Sequence, residues 1–140
     1  MSKKPIVLYA EDDPDDRELF HDIFLSRNPA YEVVEVINGR EALLYLQSPK
    51  GLDHPPALVV LDLNMPVLNG RETLAIIKSE KNTEHLAVAV FTTSSSAHDQ
   101  EFCHKFGAPV ITKPTTMEEI KNAMDFLASL AEKSRFPHLD

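Results

Sequence analysis

The stretch Ala57-Leu58-Val59-Val60-Leu61-Asp62-Leu63-Asn64-Met65-Pro66 decides the fold. Its apolar run is short, continuous and bounded by turn residues, which is the pattern of a buried strand. Asp62 closes the run, and Pro66 and Gly70 mark the loop that follows. Open α/β sheets hold their ligands at such strand ends. A second run, Ile6-Val7-Leu8-Tyr9-Ala10, leads straight into Glu11-Asp12-Asp13. As parallel neighbours, the two strands would bring three or four carboxylates to one sheet edge. That cluster is costly without a cation, and hard divalent ions prefer oxygen ligands.

Outward from these two strands, helical and strand patterns alternate along the chain, which implies a parallel sheet covered on both faces. The first strand spans about 6–11. Asp13-Pro14 then starts a helix, with Asp13 as N-cap and Leu19, Phe20, Ile23, Phe24 and Arg27 at helical spacing. Glu32 to Ile37 is the second strand, and Asn38-Gly39 opens a second helix with Ala42, Leu43 and Leu46 inward. Residues 48–56, rich in Pro and Gly, read as a loop before the third strand at about 57–62. A third helix is expected over about 70–81, a fourth strand over Leu86 to Thr93, and a fourth helix over about 97–106. Val110-Ile111-Thr112 is a short fifth strand, stopped by Lys113-Pro114. Thr115 or Thr116 caps the fifth helix, whose core stripe is Met117, Ile120, Ala123, Met124, Leu127 and Leu130.

The bulk properties narrow the function. One domain over residues 1–140, with a core at about 6–130 and a tail at 131–140, fits the length. The net charge of -8 argues against direct nucleic-acid binding, which needs a basic face. No apolar stretch approaches the roughly 18–20 residues of a membrane span. Met1-Ser2-Lys3-Lys4-Pro5 lacks the apolar region of a signal peptide, and the lone Cys103 fits a reducing compartment, so a cytoplasmic location is expected.

Four strand ends carry polar chemistry: Glu11-Asp12, Asp62, Thr92 and Lys113. Asp12 and Asp62 can ligate Mg²⁺ together with a backbone carbonyl, and Glu11 can hold a metal-bound water. Lys113 supplies a mobile positive charge and Thr92 a hydroxyl donor. The set suits a transferring phosphoryl group, whose charge is spread over its equatorial oxygens. One carboxylate is then the nucleophile, and Asp62, between the other acids, is the candidate. Read singly, these residues have plainer roles: Asp13 is a helix cap, and Thr92 sits in a Ser/Thr-rich run where turns absorb hydroxyls. The six His residues show no ligand spacing.

In this order and spacing, Glu11-Asp12, Asp62 within Leu61-Asp62-Leu63-Asn64-Met65-Pro66, Gly70, Thr92 and Lys113-Pro114 resemble the receiver domain of two-component response regulators. The resemblance implies a flavodoxin-like, doubly wound α/β fold with a five-stranded parallel sheet in the order 2-1-3-4-5 and five helices. It implies that Asp62 is the phospho-acceptor and that Lys113 and Thr92 contact the phosphoryl oxygens. Mg²⁺ would be held by Asp12, Asp62 and the main-chain carbonyl of Asn64, with Glu11 acting mostly through water. The Lys113–Pro114 bond is expected to be cis. The partner would be a sensor histidine kinase or phosphotransfer protein, and the chain would catalyse only its own phosphorylation and dephosphorylation.

Three features depart from the family pattern. Val110 stands where an aromatic residue is usual, the 48–57 loop is long, and the chain continues past the fifth helix as Ser134-Arg135-Phe136-Pro137-His138-Leu139-Asp140. The last two, with the Thr-Thr-Ser run, look like single-domain receivers that partner sensor kinases, of the chemotaxis or phytochrome-associated type. A homodimer through the fourth helix, fifth strand and fifth helix is expected, aided by Phe126 and the tail. Two other classes compete. A Mg²⁺-dependent phosphatase with an aspartyl nucleophile normally carries a second Asp two residues on, where this chain has Asn64. An unphosphorylated interaction module would not need the intact polar set.

Overall fold

The computed structural model describes residues 3–138. Five strands, β1 (Ile6–Ala10), β2 (Glu32–Val36), β3 (Leu58–Leu61), β4 (Val88–Thr92) and β5 (Val110–Thr112), form one sheet in the order 2-1-3-4-5. Every neighbouring pair is parallel. The helices are α1 (Pro14–Arg27), α2 (Gly39–Gln47), α3 (Pro49–Asp53), α4 (Gly70–Ser79), α5 (Ala97–Lys105) and α6 (Met117–Arg135). The expected sheet order holds.

Side chains alternate across a strand, so each run of apolar residues feeds two cores. Leu8, Ala10, Val59, Leu61 and Val90 face the helices α2, α4 and α5 through Leu46, Leu74, Ile77 and Cys103. Val7, Tyr9, Leu58, Val60 and Phe91 face α1 and α6 through Phe20, Phe24, Met124 and Leu127. Tyr9 stacks on Phe20 with ring centroids 3.9 Å apart.

Each helix begins on a polar cap. Asp13 accepts from the amides of Asp15 and Asp16, and Asn69 forms a reciprocal capping box with Glu72. Thr116, rather than Thr115, caps α6. The sixth helix, α3, lies in the segment expected to be loop. Ser48 caps it and Pro49 occupies its first position, a start signal hidden by the surrounding Pro and Gly. Two residues assigned to core stripes lie outside: Leu19 and Met117 are exposed, each at the margin of its helix's buried face. The tail begins later than expected, because α6 runs on to Arg135. Its last turn is held by Tyr31, which donates to Glu132, and by Arg135, whose guanidinium lies 5.8 Å from the Tyr31 ring centroid and 4.7 Å from that of Phe136. Phe136 is therefore engaged beside Tyr31. Leu139 and Asp140 lie outside the described residues. No helix among the described residues is long and apolar enough to cross a membrane.

Candidate functional site

The parallel register places the polar residues at one edge. Ala10 pairs with Leu61, so Glu11 and Asp62 leave the sheet side by side, and the Asp62 amide donates to the Ala10 carbonyl at 3.1 Å. Thr92 pairs with Thr112, and the next residue, Lys113, donates its amide to the Thr92 carbonyl at 2.8 Å. Gly70 is required where the loop after Asp62 turns into α4. A Cβ there would lie 2.2 Å from the Asp62 carbonyl oxygen. The preceding turn is strained: Val67 has φ +68°, rare for a β-branched residue, and the Leu68 amide donates to the Pro66 carbonyl at 2.7 Å.

Glu11 and Asp62 are buried, whereas Asp12 is exposed. One carboxylate oxygen from each of the three lies within 4.8 Å of the others. This all-oxygen, all-anionic set fits a hard divalent cation such as Mg²⁺. Among the three, Asp62 also accepts from the Asn64 amide at 3.3 Å, which folds the loop back over the carboxylate. This contact places the Asn64 amide beside Asp62.

Lys113 reaches into the acids from β5. Its Nζ lies 3.2 Å from Asp62 Oδ2 and 2.8 Å from Asp16 Oδ2, and it also pairs with Glu11 Oε1. Burial opposes its charge, but hydrogen bonds to Asp16 and Glu11 and the field of Asp62 prevail, holding the ammonium well above the usual lysine range. Burial acts the other way on Glu11. Together with the Asp62 charge, it pushes that carboxyl up to about 7 against the pull of Lys113. Thr92 is fully buried, and its Oγ1 accepts the Ser94 amide at 3.3 Å. Thr93 is exposed.

Three contributors escape a reading of the sequence alone. Asp16 looks like a first-turn acid of α1, yet it pairs with Lys113 across 97 positions. Tyr9 looks like core, yet its hydroxyl donates to Glu11 Oε1 at 3.2 Å. Arg17 donates to the Glu11 carbonyl at 2.8 Å. The first two lie three residues after Asp13 and two before Glu11, spacings that periodicity alone does not mark as functional. One expectation fails: no peptide bond among the described residues is cis, so Lys113–Pro114 is trans. Trans is the intrinsically favoured state of an X–Pro bond, by about 0.5–1 kcal/mol.

The model of the response regulator receiver domain family matches residues 7–125. No curated protein matches the chain. Among solved structures, the phosphorylated cyanobacterial phytochrome response regulator RcpA is 26% identical with a TM-score of 0.78, over 91% of this chain and 96% of that one. The Mn²⁺-bound form of response regulator Rcp1 is 26% identical with a TM-score of 0.74, over 89% and 92%. Response regulator RPA3017, in red light signaling of R. palustris, is 29% identical with a TM-score of 0.74, over 92% of each chain. With its family pattern matched over most of its length and its site residues gathered at the C-terminal sheet edge, the chain belongs to the receiver domains of two-component response regulators.

Proposed function

We propose that this receiver accepts a phosphoryl group on Asp62 from a sensor histidine kinase or a phosphotransfer protein, in a Mg²⁺-dependent reaction. The observation that carries this reading is the Lys113 ammonium, held 3.2 Å from Asp62 Oδ2 at the rim of the three-acid cluster. An Asp62 oxygen attacks phosphorus, the P–N bond of the donor phosphohistidine breaks, and its electron pair returns to the imidazole. Lys113 neutralises charge developing on the phosphoryl oxygens, and the Thr92 hydroxyl donates to one of them. Asp12, Asp62 and the Asn64 carbonyl would hold Mg²⁺, with Glu11 acting mostly through water. The ion supplies charge neutralisation and alignment for in-line transfer. The protein catalyses only its own phosphorylation and dephosphorylation. The similar RcpA is phosphorylated and the similar Rcp1 binds Mn²⁺, which supports both halves of the reading.

Incubation with acetyl phosphate and Mg²⁺, followed by intact mass, tests it. Wild type gains one phosphoryl group, and Asp62→Asn gains none. Label persisting in the variant moves the acceptor to another acid.

The output surface is α5, β5 and α6, and it pairs with a second copy of the chain. Support comes from Phe126, which stands exposed on α6. Phe136 is turned beside Tyr31 and Arg135, so its ring adds little to this face.

A further inference from the structure

A cavity of about 340 Å³ opens at the edge of the sheet opposite Asp62. It is bounded by Leu58 and Val88, the first residues of β3 and β4, and by Pro109, the residue before β5. A strand rises about 3.3 Å per residue, so the four steps from Leu58 to Asp62 set the cavity about 13 Å from the acid cluster. Helices from both faces of the sheet close it. Lys78 comes from α4, whose Ile77 packs in one core. Leu130 and Lys133 come from α6, whose Leu127 packs in the other. The cavity therefore spans the two helix layers.

Its charges are of one sign. The chain carries a net charge of -8, yet no Asp or Glu lines this cavity, whereas Lys78 and Lys133 do. Neither lysine is in an ion pair among the described residues. Lys78 has a structural task. Its Nζ donates to the Leu86 carbonyl at 2.6 Å and to the Glu84 carbonyl at 3.2 Å, tying α4 to the segment before β4. An ammonium has three protons, so one is left over. Both acceptors are neutral, so the charge itself is not offset. Burial lowers the affinity of Lys78 for its proton, and no charged group counters that effect. Lys133 lies in the last turn of α6, where the helix dipole favours a cation. These roles explain each lysine singly. They do not explain an acid-free cavity that the two share.

The rest of the lining fixes the kind of molecule that fits. Ala87, Pro109 and Leu130 are half-buried, and Pro137 is exposed beside them, so apolar surface stays in water next to the two cations. An anionic head would supply the missing counter-charge and accept the third Lys78 proton. A short hydrocarbon body would cover the apolar wall. At roughly 30 Å³ each, the share of a molecule in liquid water, the cavity holds about ten non-hydrogen atoms.

We propose that this cavity is a binding site for a small amphipathic carboxylate, with its head on Lys78 and Lys133 and its body against Ala87, Pro109, Leu130 and Pro137. None of the residues around the acid cluster lines it, so the site stands apart from the phosphoryl chemistry.

The test is a titration of the full chain with hexanoate, followed by amide resonances, beside parallel titrations with 1-hexanol and acetate. Hexanoate should move the amides of Val88 and Gly107 saturably, with a dissociation constant of about 1–10 mM, as a ligand of this size allows. The amides of Asp62 and Thr92 should stay in place. Hexanol lacks the charge and acetate lacks the body, so each should bind at least about fivefold more weakly. Lys78→Met should weaken hexanoate binding about tenfold and Lys133→Met about threefold, with hexanol binding unchanged. Lys133 is exposed and makes no bond to the fold, so Lys133→Met carries the test should Lys78→Met fail to fold. Equal binding of hexanol would make this an apolar crevice, and equal binding of acetate a diffuse cationic patch; either overturns the site. Shifts that do not saturate, or that persist undiminished in the lysine variants, overturn it as well.

Discussion

The Lys113 ammonium lies 3.2 Å from Asp62 Oδ2, although 51 positions separate the two residues. The contact is made by a short edge strand reaching across the end of β4. It sets one cation against Asp62, Glu11 and Asp16. Removing that cation leaves buried carboxylates facing one another, which typically costs about 3–5 kcal/mol.

Lys113→Ala should therefore depend on Mg²⁺ for stability far more than wild type does. Asp16 is partly solvated, so the loss without the ion should sit near the low end, about 3 kcal/mol. Thermal melts with and without millimolar Mg²⁺ check this. The ion should recover most of the loss in stability, but not the rate of phosphorylation by acetyl phosphate. An equal Mg²⁺ response in variant and wild type would show that Lys113 does not shield the cluster.

A second prediction concerns the exposed member of the cluster. Mg²⁺ bound to the native acids, and not to the unfolded chain, stabilises by about 2.7 kcal/mol at a hundred times its dissociation constant. In a domain of this size that raises the melting temperature by about 5–10 °C. Asp12→Ala should abolish the rise while leaving the ion-free melting temperature little changed, because Asp12 is solvated. An undiminished rise would place the ion elsewhere.

Tyr9 supplies a third. Its hydroxyl donates to Glu11 Oε1, while Glu11 Oε2 accepts the Asp13 amide at 3.2 Å. The carboxylate is thus pinned at both oxygens before any ion arrives. Outer groups that orient metal-site carboxylates typically contribute 10–100-fold in affinity. Tyr9→Phe keeps the stack on Phe20 and should weaken Mg²⁺ binding about tenfold, read by calorimetric titration. Unaltered affinity would reduce Tyr9 to a packing residue.

Much of this arrangement is legible in the residues themselves. Continuous apolar runs ending in Asp62 and in Glu11-Asp12 mark parallel strands and their functional ends, because strands covered on both faces admit no polar alternation. Asp13 and Asn38 announce their helices by cap chemistry. What escapes depends on distance in space. The pairing of Asp16 with Lys113 requires α1 to sit beside β5's end, and that of Arg71 with Asp99 requires α4 beside α5. α3 escapes because Pro49 and Gly51 read as breakers, while the Ser48 cap that overrides them is a single residue. The length of α6 escapes because Tyr31, a hundred positions earlier, helps hold its last turn.

The last prediction concerns assembly. A change at Asp62 is read by partners from a nearby surface, and α5, β5 and α6 form the surface next to Thr92 and Lys113. Pairing of that surface with itself gives an isologous dimer, closed by a two-fold axis. Phe126 is the large apolar side chain exposed along the middle of α6, the kind of anchor that dominates such interfaces. Phe136 is held by Arg135 beside Tyr31, so the tail should be dispensable. Sedimentation at micromolar concentration should show a dimer that strengthens with beryllofluoride. Phe126→Ala should weaken it by at least tenfold, an anchor of about 1.4 kcal/mol or more, whereas removal of residues 136–140 should not. A monomer in both states would end the dimer and leave α5, β5 and α6 to a different protein partner.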